Sequence, residues 1–165
     1  MPPARNVELI TGVSIFLDVY GRIDARRFIA AFQDVWRSLP DYARQLLPVH
    51  WGHIDGLVIL TNHWKGRGNR LAECTLNGMV FHFLAPAMDR MSDDVVRICI
   101  VHELAHAFFF AIGESFHCGS SLPESVRVHL AESIVHEISA IWGFEWRRLG
   151  QWCIDNDQWL VPHPR

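Results

Sequence analysis

The stretch from about Asp93 to Ile112 constrains the fold of this chain more than any other part of its sequence. It is apolar on nearly every face of a helix, and Gly113 follows it as a residue that can end a helix. A helix of this kind belongs in the centre of a hydrophobic core. Its second half nevertheless carries three polar side chains, which are His102, Glu103 and His106. The sequence therefore predicts a buried helix that carries three polar side chains into the hydrophobic core.

The spacing of these polar residues is that of a metal site. His102 and His106 are four residues apart, so on a helix they share a face and can hold one ion together. Glu103 lies beside them, close enough to act as a general base on a metal-bound water without being a ligand. Burying two imidazoles and a carboxylate is costly unless they are satisfied, and a metal with its water would satisfy all three. The alternative is a polar stripe that pairs with other side chains.

A catalytic zinc usually takes three protein ligands and keeps one open position. His102–His106 form the motif H-E-x-x-H, and the continuation that metzincins have after this motif is absent here. A third ligand is therefore sought on the next predicted helix. There His129, Glu132 and His136 fall at i, i+3 and i+7 and share a face, whereas Glu137 lies on a different stripe. Glu132 is therefore predicted as the third ligand, and the alternative is a solvated carboxylate on an amphipathic helix.

Two segments together resemble the minimal gluzincin pattern of zinc metallopeptidases, in which H-E-x-x-H is followed by E-x-x-A-D. They are His102–His106 and Glu132–His136, and the resemblance extends over about Leu57 to Phe144. It implies that His102, His106 and Glu132 bind Zn²⁺ and that Glu103 is the base.

The second segment departs from the pattern at two positions. Val135 stands where a small alanine is usual, and His136 replaces the aspartate that orients a ligand histidine. A neutral imidazole accepts a hydrogen bond less strongly than a carboxylate. His136 is therefore either a residue behind the ligands or a metal ligand itself.

The function implied by the resemblance is hydrolysis of peptide bonds by a zinc metallopeptidase. His136, His129 and His117 are candidates for the second shell or for stabilising the oxyanion. In zincin-like folds an edge strand before the motif helix binds an extended peptide, and the matching segment here is Gly78–Leu84. Cys118 offers a thiolate that could cap the zinc, although an ordinary loop cysteine is the simpler interpretation. The competing functions are hydrolysis of non-peptide amide bonds and a catalytically inactive zincin-like binding module.

The predicted elements give an α+β fold. Helices are expected over Ala25–Leu39, Glu124–Trp142 and Glu145–Asp155, with a strand at Leu57–Leu60 and a short strand or turn at Val13–Tyr20. Leu71–Leu84 is expected to be either one longer strand or a hairpin that turns near Asn77-Gly78, and the Asn-Gly pair favours the hairpin. With the resemblance, this predicts one zincin-like domain over residues 1–165. A small, mostly antiparallel sheet would pack on the motif helix and on the ligand-bearing helix after it.

The charge composition limits the classes of partner that we expect for this chain. The 165 residues include 15 basic and 18 acidic side chains, a formal net charge of −3, with no basic block. We therefore expect a peptide or protein substrate, no nucleic acid and no membrane, and the sequence leaves oligomerisation open. The Ile98–Ile112 stretch is expected to be too short and too polar to span a bilayer. The four cysteines form no C-x-x-C pair and no secretory signal is evident, so reduced thiols in the cytoplasm are expected.

Overall fold

The structure is a computed structural model. It describes residues 6–10, 13–17, 24–51, 56–62, 70–75, 78–113 and 123–158. In these residues helices and one mixed sheet combine into an α+β fold, as the sequence predicts.

The sheet has five strands in the order β1-β2-β3-β5-β4. The strands are β1 (Asn6–Ile10), β2 (Val13–Leu17), β3 (Gly56–Thr61), β4 (Ala72–Thr75) and β5 (Val80–Leu84). The predicted strand at Leu57–Leu60 lies within β3. The predicted segment Val13–Tyr20 contains β2, and its last three residues lie outside the described part of the chain.

The expectation of a mostly antiparallel sheet is wrong. β2 pairs with β3 and β3 with β5 in parallel, whereas only the outer pairs β1–β2 and β4–β5 are antiparallel. The parallel pairing of β2 and β3 follows from their long connection, because helices α1 (Arg26–Ser38) and α2 (Asp41–Trp51) lie between them and return the chain to the same end of the sheet.

Helix α1 (Arg26–Ser38) confirms the predicted helix, and it buries four side chains at helical spacing, namely Phe28, Ala31, Phe32 and Val35. Helix α2 (Asp41–Trp51) was not predicted, because Pro40 and Pro48 interrupt the local pattern. It forms because Ala43, Leu47 and Trp51, four residues apart, are buried together.

The hairpin of β4 and β5 is confirmed, and its turn lies directly against the motif helix. Gly78 has a φ of +86°, and a Cβ built there would lie 2.8 Å from the Cα of Ala107. The carbonyl oxygen of Gly78 also accepts a hydrogen bond of 2.9 Å from the indole nitrogen of Trp51. Glycine therefore lets the turn approach the backbone of the helix one residue after His106.

The edge of the sheet near the motif helix is β4, not the segment Gly78–Leu84. β5 is paired with β3 on one side and with β4 on the other, so it has no unpaired edge. Phe81 and Phe83 on β5 are fully buried, which makes them core residues and not the lining of a pocket.

A short helix, α3 (Ala85–Arg90), leads into α4 (Asp93–Gly113), which is the predicted central helix. The backbone N–H of Val95 donates to the Ser92 hydroxyl at 3.4 Å, so the side chain of Ser92 helps to cap the helix start. α4 contacts α1, α2, β4 and the two later helices.

By length and composition α4 as a whole could cross a membrane, contrary to the expectation from its second half. Of its most apolar window, however, 61% is buried inside the protein, which is also what the core helix of a globular domain gives.

The last two described helices are α5 (Glu124–Ile141) and α6 (Trp146–Asp155), close to the predicted ranges. α5 packs on α4, and Val135, Ile138 and Ser139 of α5 are buried, as is Trp142 directly after it. α6 buries Leu149 and Cys153 and contacts both α4 and α5. The motif helix is thus enclosed by helices and by the β4–β5 hairpin.

The close approach of Gly78 can be tested by adding one methyl group. We expect Gly78→Ala to lower the free energy of unfolding by about 1–3 kcal/mol, because it combines a positive φ with an overlap against Ala107. Urea denaturation followed by circular dichroism measures the change. Gly150→Ala in α6 is the matched control, since its Cβ would meet only the ring of Trp146 at 3.9 Å. A loss of stability in Gly78→Ala no greater than in this control would contradict the account.

Candidate metal centre

Helix α4 carries the motif residues into the core. His102 and Glu103 are almost fully buried, with 1% and 2% of their surface exposed, whereas His106 is half-buried one turn later. The Nε2 atoms of His102 and His106 are 3.2 Å apart, so the two imidazoles converge on one point as their spacing predicts.

Helix α5 brings a carboxylate to the same point. Glu132 Oε2 lies 3.3 Å from His102 Nε2, and Glu132 Oε1 lies 3.0 Å from His106 Nε2. Glu137, on the neighbouring stripe, is exposed. The carboxylate thus spans the two imidazoles across the α4–α5 interface.

These distances fit a tetrahedral metal site. Zinc bonds to imidazole nitrogen and carboxylate oxygen measure about 2.0–2.2 Å, so two ligand atoms at the tetrahedral angle lie about 3.3–3.5 Å apart. The N–N distance of 3.2 Å and the two N–O distances of 3.3 and 3.0 Å, which involve different oxygens of Glu132, are within a few tenths of an ångström of that value. Two nitrogens and one carboxylate oxygen are also ligands that zinc accepts.

The charges of the cluster are coupled through Glu132. Burial alone would raise the pKa of Glu132, but hydrogen bonds from His102 and His106 hold it well below its usual range. Burial lowers the pKa of His102. Burial would also lower the pKa of His106, yet the hydrogen bond to Glu132 raises it above its usual value. Metal binding would therefore compete with protons for these side chains.

The side chain of Glu103 is more deeply buried than that of Glu132. Burial raises the pKa of Glu103 to about 8, partly offset by the charge of His106. The charges of Glu73 on strand β4 and of Arg70, just before that strand, also act on it. Those two residues form a half-buried ion pair with an N–O distance of 2.7 Å. The base predicted from the sequence therefore interacts electrostatically with His106 and with the edge strand of the sheet.

A fourth donor, His136, faces the centre one turn after Glu132. Its Nε2 is 3.8 Å from Glu132 Oε2, and suitable ligand atoms of His102, Glu132 and His136 all lie within 4.8 Å of one another. His136 makes no hydrogen bond with His102 or His106 among the bonds that the structure describes. The ring of His136 stacks on the indole of Trp146, with centroids 3.9 Å apart and planes 3° from parallel.

His129 does not join the cluster. It is exposed, because α5 becomes covered by α4 only from about Glu132 onward. His117 and Cys118 lie outside the described residues. The Nδ1 atom of His102 is buried without a hydrogen-bond partner in the described part of the chain. This matches the departure at His136, since an aspartate is the usual partner of such a nitrogen.

Sequence reasoning missed Trp146 and the role of β4. Trp146 follows His136 by ten residues with a turn between them, so no helical spacing relates the two rings. Only the packing of α6 against α5 brings them together. The proximity of Glu73 and Arg70 to Glu103 likewise depends on strand order, which no local pattern predicts.

Comparison with known proteins does not assign this chain to a family. No family model, no characterised protein and no solved structure matches the chain. The interpretation of the site therefore depends on the residues of this protein alone.

The donor cluster predicts that zinc stabilises the fold. A ligand that binds only the folded state at a thousand times its Kd adds about 4 kcal/mol to the free energy of unfolding. We expect equimolar or slight excess Zn²⁺ to raise the Tm of the metal-free protein, and Glu132→Ala to abolish most of that rise. Differential scanning calorimetry measures both, with the exposed His129→Ala as control. An equal rise in Glu132→Ala, or no rise in the unaltered protein, would contradict the assignment.

Proposed function

We propose that this protein is a zinc-dependent metallopeptidase with a zincin-like fold. The observation that carries the proposal is the convergence of His102, His106 and Glu132, with donor separations of 3.0–3.3 Å, beside the buried Glu103. His102, His106 and Glu132 would hold the metal. When bound, Zn²⁺ supplies a Lewis acid that polarises the scissile carbonyl and lowers the pKa of water.

Glu103 is the residue proposed to move the proton. Burial raises the pKa of Glu103 to about 8 without a metal ion, and the positive charge of a bound Zn²⁺ would favour the ionised carboxylate that accepts a proton. Glu103 takes the proton of the attacking water and passes it to the nitrogen of the leaving amine. His102 and His106 cannot do this while both imidazoles are ligands.

Strand β4 is the proposed docking edge for the substrate. It ends the described sheet, so the edge away from β5 can pair with an extended peptide. Strand β4 contacts α4. Its residue Glu73, and Arg70 just before the strand, act electrostatically on the proposed base Glu103. A peptide lying along β4 would therefore pass near the base, as the chemistry requires.

The proposal includes the cytoplasm as the working compartment. The free thiols of Cys74, Cys99 and Cys153 are consistent with a reducing environment. Burial raises the pKa of the Cys99 thiol well above its usual value, so it is an unreactive core residue and not a nucleophile.

A second candidate function is a non-catalytic zincin-like binding module. The position of His136 favours it, because a structural zinc site fills all four positions with protein ligands. Glu103 argues against it, since a purely structural site has no need for a buried carboxylate beside its ligands.

Replacing the base separates these two functions. We expect Glu103→Gln to bind zinc as well as the unaltered protein does, but to cleave peptides about 10²–10⁴-fold more slowly, because proton transfer is lost. A quenched fluorescent peptide library measures cleavage, and elemental analysis measures zinc per chain. Glu137→Gln, which alters an exposed carboxylate of α5, is the control. Undiminished cleavage in Glu103→Gln would refute the catalytic role, and no cleavage by any form would favour the binding module.

A further inference from the structure

The two helices of the centre present matching pairs of donors. On α4 the pair is His102 and His106, and on α5 it is Glu132 and His136, each four residues apart. Residues at this spacing lie one above the other on a helix. Since α4 and α5 pack together at this level, the two pairs face each other and offer four donors in place of three.

The distance from His136 to the centre is short enough for coordination. Its Nε2 is 3.8 Å from Glu132 Oε2, about half an ångström more than the donor separation of an ideal tetrahedral site. Its ligand atom lies within 4.8 Å of those of His102 and Glu132, a group that does not include His106. Coordination by all four side chains therefore requires the half-buried imidazole of His136 to move towards the other donors.

The His136 ring is held in position by an aromatic contact. Trp146 stacks on it almost in parallel at 3.9 Å, and the guanidinium carbon of Arg147 lies 5.8 Å from the indole centroid. A stacked ring has lost most of its rotational freedom before it binds anything, so less entropy is lost on coordination. Among the hydrogen bonds that the structure describes, none joins its nitrogen to either histidine of α4.

We propose that His136 is a fourth protein ligand of the resting metal centre, and that Trp146 is the positioning residue that holds its ring. This inference rests on the metal site of the proposed function and goes beyond it. With four donors from the chain, the resting centre has no open position. Hydrolysis then requires the imidazole of His136 to withdraw.

The number of imidazoles around the metal tests the proposal without any substitution. X-ray absorption at the zinc edge of the zinc-loaded protein should fit three imidazole nitrogens and one carboxylate oxygen. A fit with two imidazoles would overturn the proposal. Because this measurement uses the unaltered chain, a folding defect in any variant leaves the test intact.

Substitution and chemical rescue give a second, independent readout. We expect His136→Ala to raise the Kd for Co²⁺ at least about tenfold and to change the visible absorption of the bound Co²⁺. Added imidazole should restore the original spectrum by occupying the vacated space beside Trp146. Azide should perturb the Co²⁺ spectrum of His136→Ala but not that of the unaltered protein. His129→Ala, which removes an exposed imidazole from the same helix, is the matched control.

The role of Trp146 is tested in the same way. Trp146→Phe keeps an aromatic ring against His136 and should keep the Co²⁺ spectrum, whereas Trp146→Ala should become sensitive to azide. Identical spectra, Kd values and azide responses in the unaltered protein and His136→Ala would overturn the proposal.

The outcomes also separate this proposal from the proposed function. Failure to bind any metal refutes both. If the metal has two imidazole ligands and cleavage depends on Glu103, only the proposed role of His136 is refuted. If the metal has three imidazole ligands and no peptide is cleaved, the peptidase function is refuted and the four-donor centre remains supported.

Discussion

The contact of one carboxylate, Glu132, with two imidazoles of the core helix is the interaction on which the rest of the structure depends. A buried polar group without a partner costs about 1–3 kcal/mol, and a buried charge costs more. His102 and His106 therefore favour the packing of α5 on α4 in which Glu132 lies within hydrogen-bond distance of both imidazoles. Val135 and Ser139 then fill the interface below it. Fold and site thus have a common cause in this pair of helices.

Much of this centre could be predicted from the sequence, because helical spacing is a local property. His102 and His106 share a face by geometry alone, and the apolar residues around them require burial of that helix. Glu132 was distinguishable from Glu137 by the same spacing rule, and the structure brings Glu132 and not Glu137 to the histidines. The Asn77-Gly78 turn was predictable for a similar reason, since a positive φ at Gly78 is a local requirement of the hairpin.

What could not be predicted depends on how distant elements meet. The parallel pairing of β2 with β3 is determined by a crossover through two helices, one of which contains Pro48 and has no clear local signal. The stacking of Trp146 on His136 depends on the angle between α6 and α5. His129 shares the helical face of Glu132 and is nevertheless exposed, because facing a direction on a helix does not ensure that another element covers it.

The central claim is that one metal ion binds between α4 and α5, and anomalous scattering from crystals grown with Zn²⁺ tests it most directly. Data collected on both sides of the zinc absorption edge should give a strong difference peak about 2.0–2.2 Å from His102 Nε2, His106 Nε2 and an oxygen of Glu132. Zinc peaks confined to other parts of the molecule, with Glu132 still hydrogen-bonded to the two imidazoles, would contradict it.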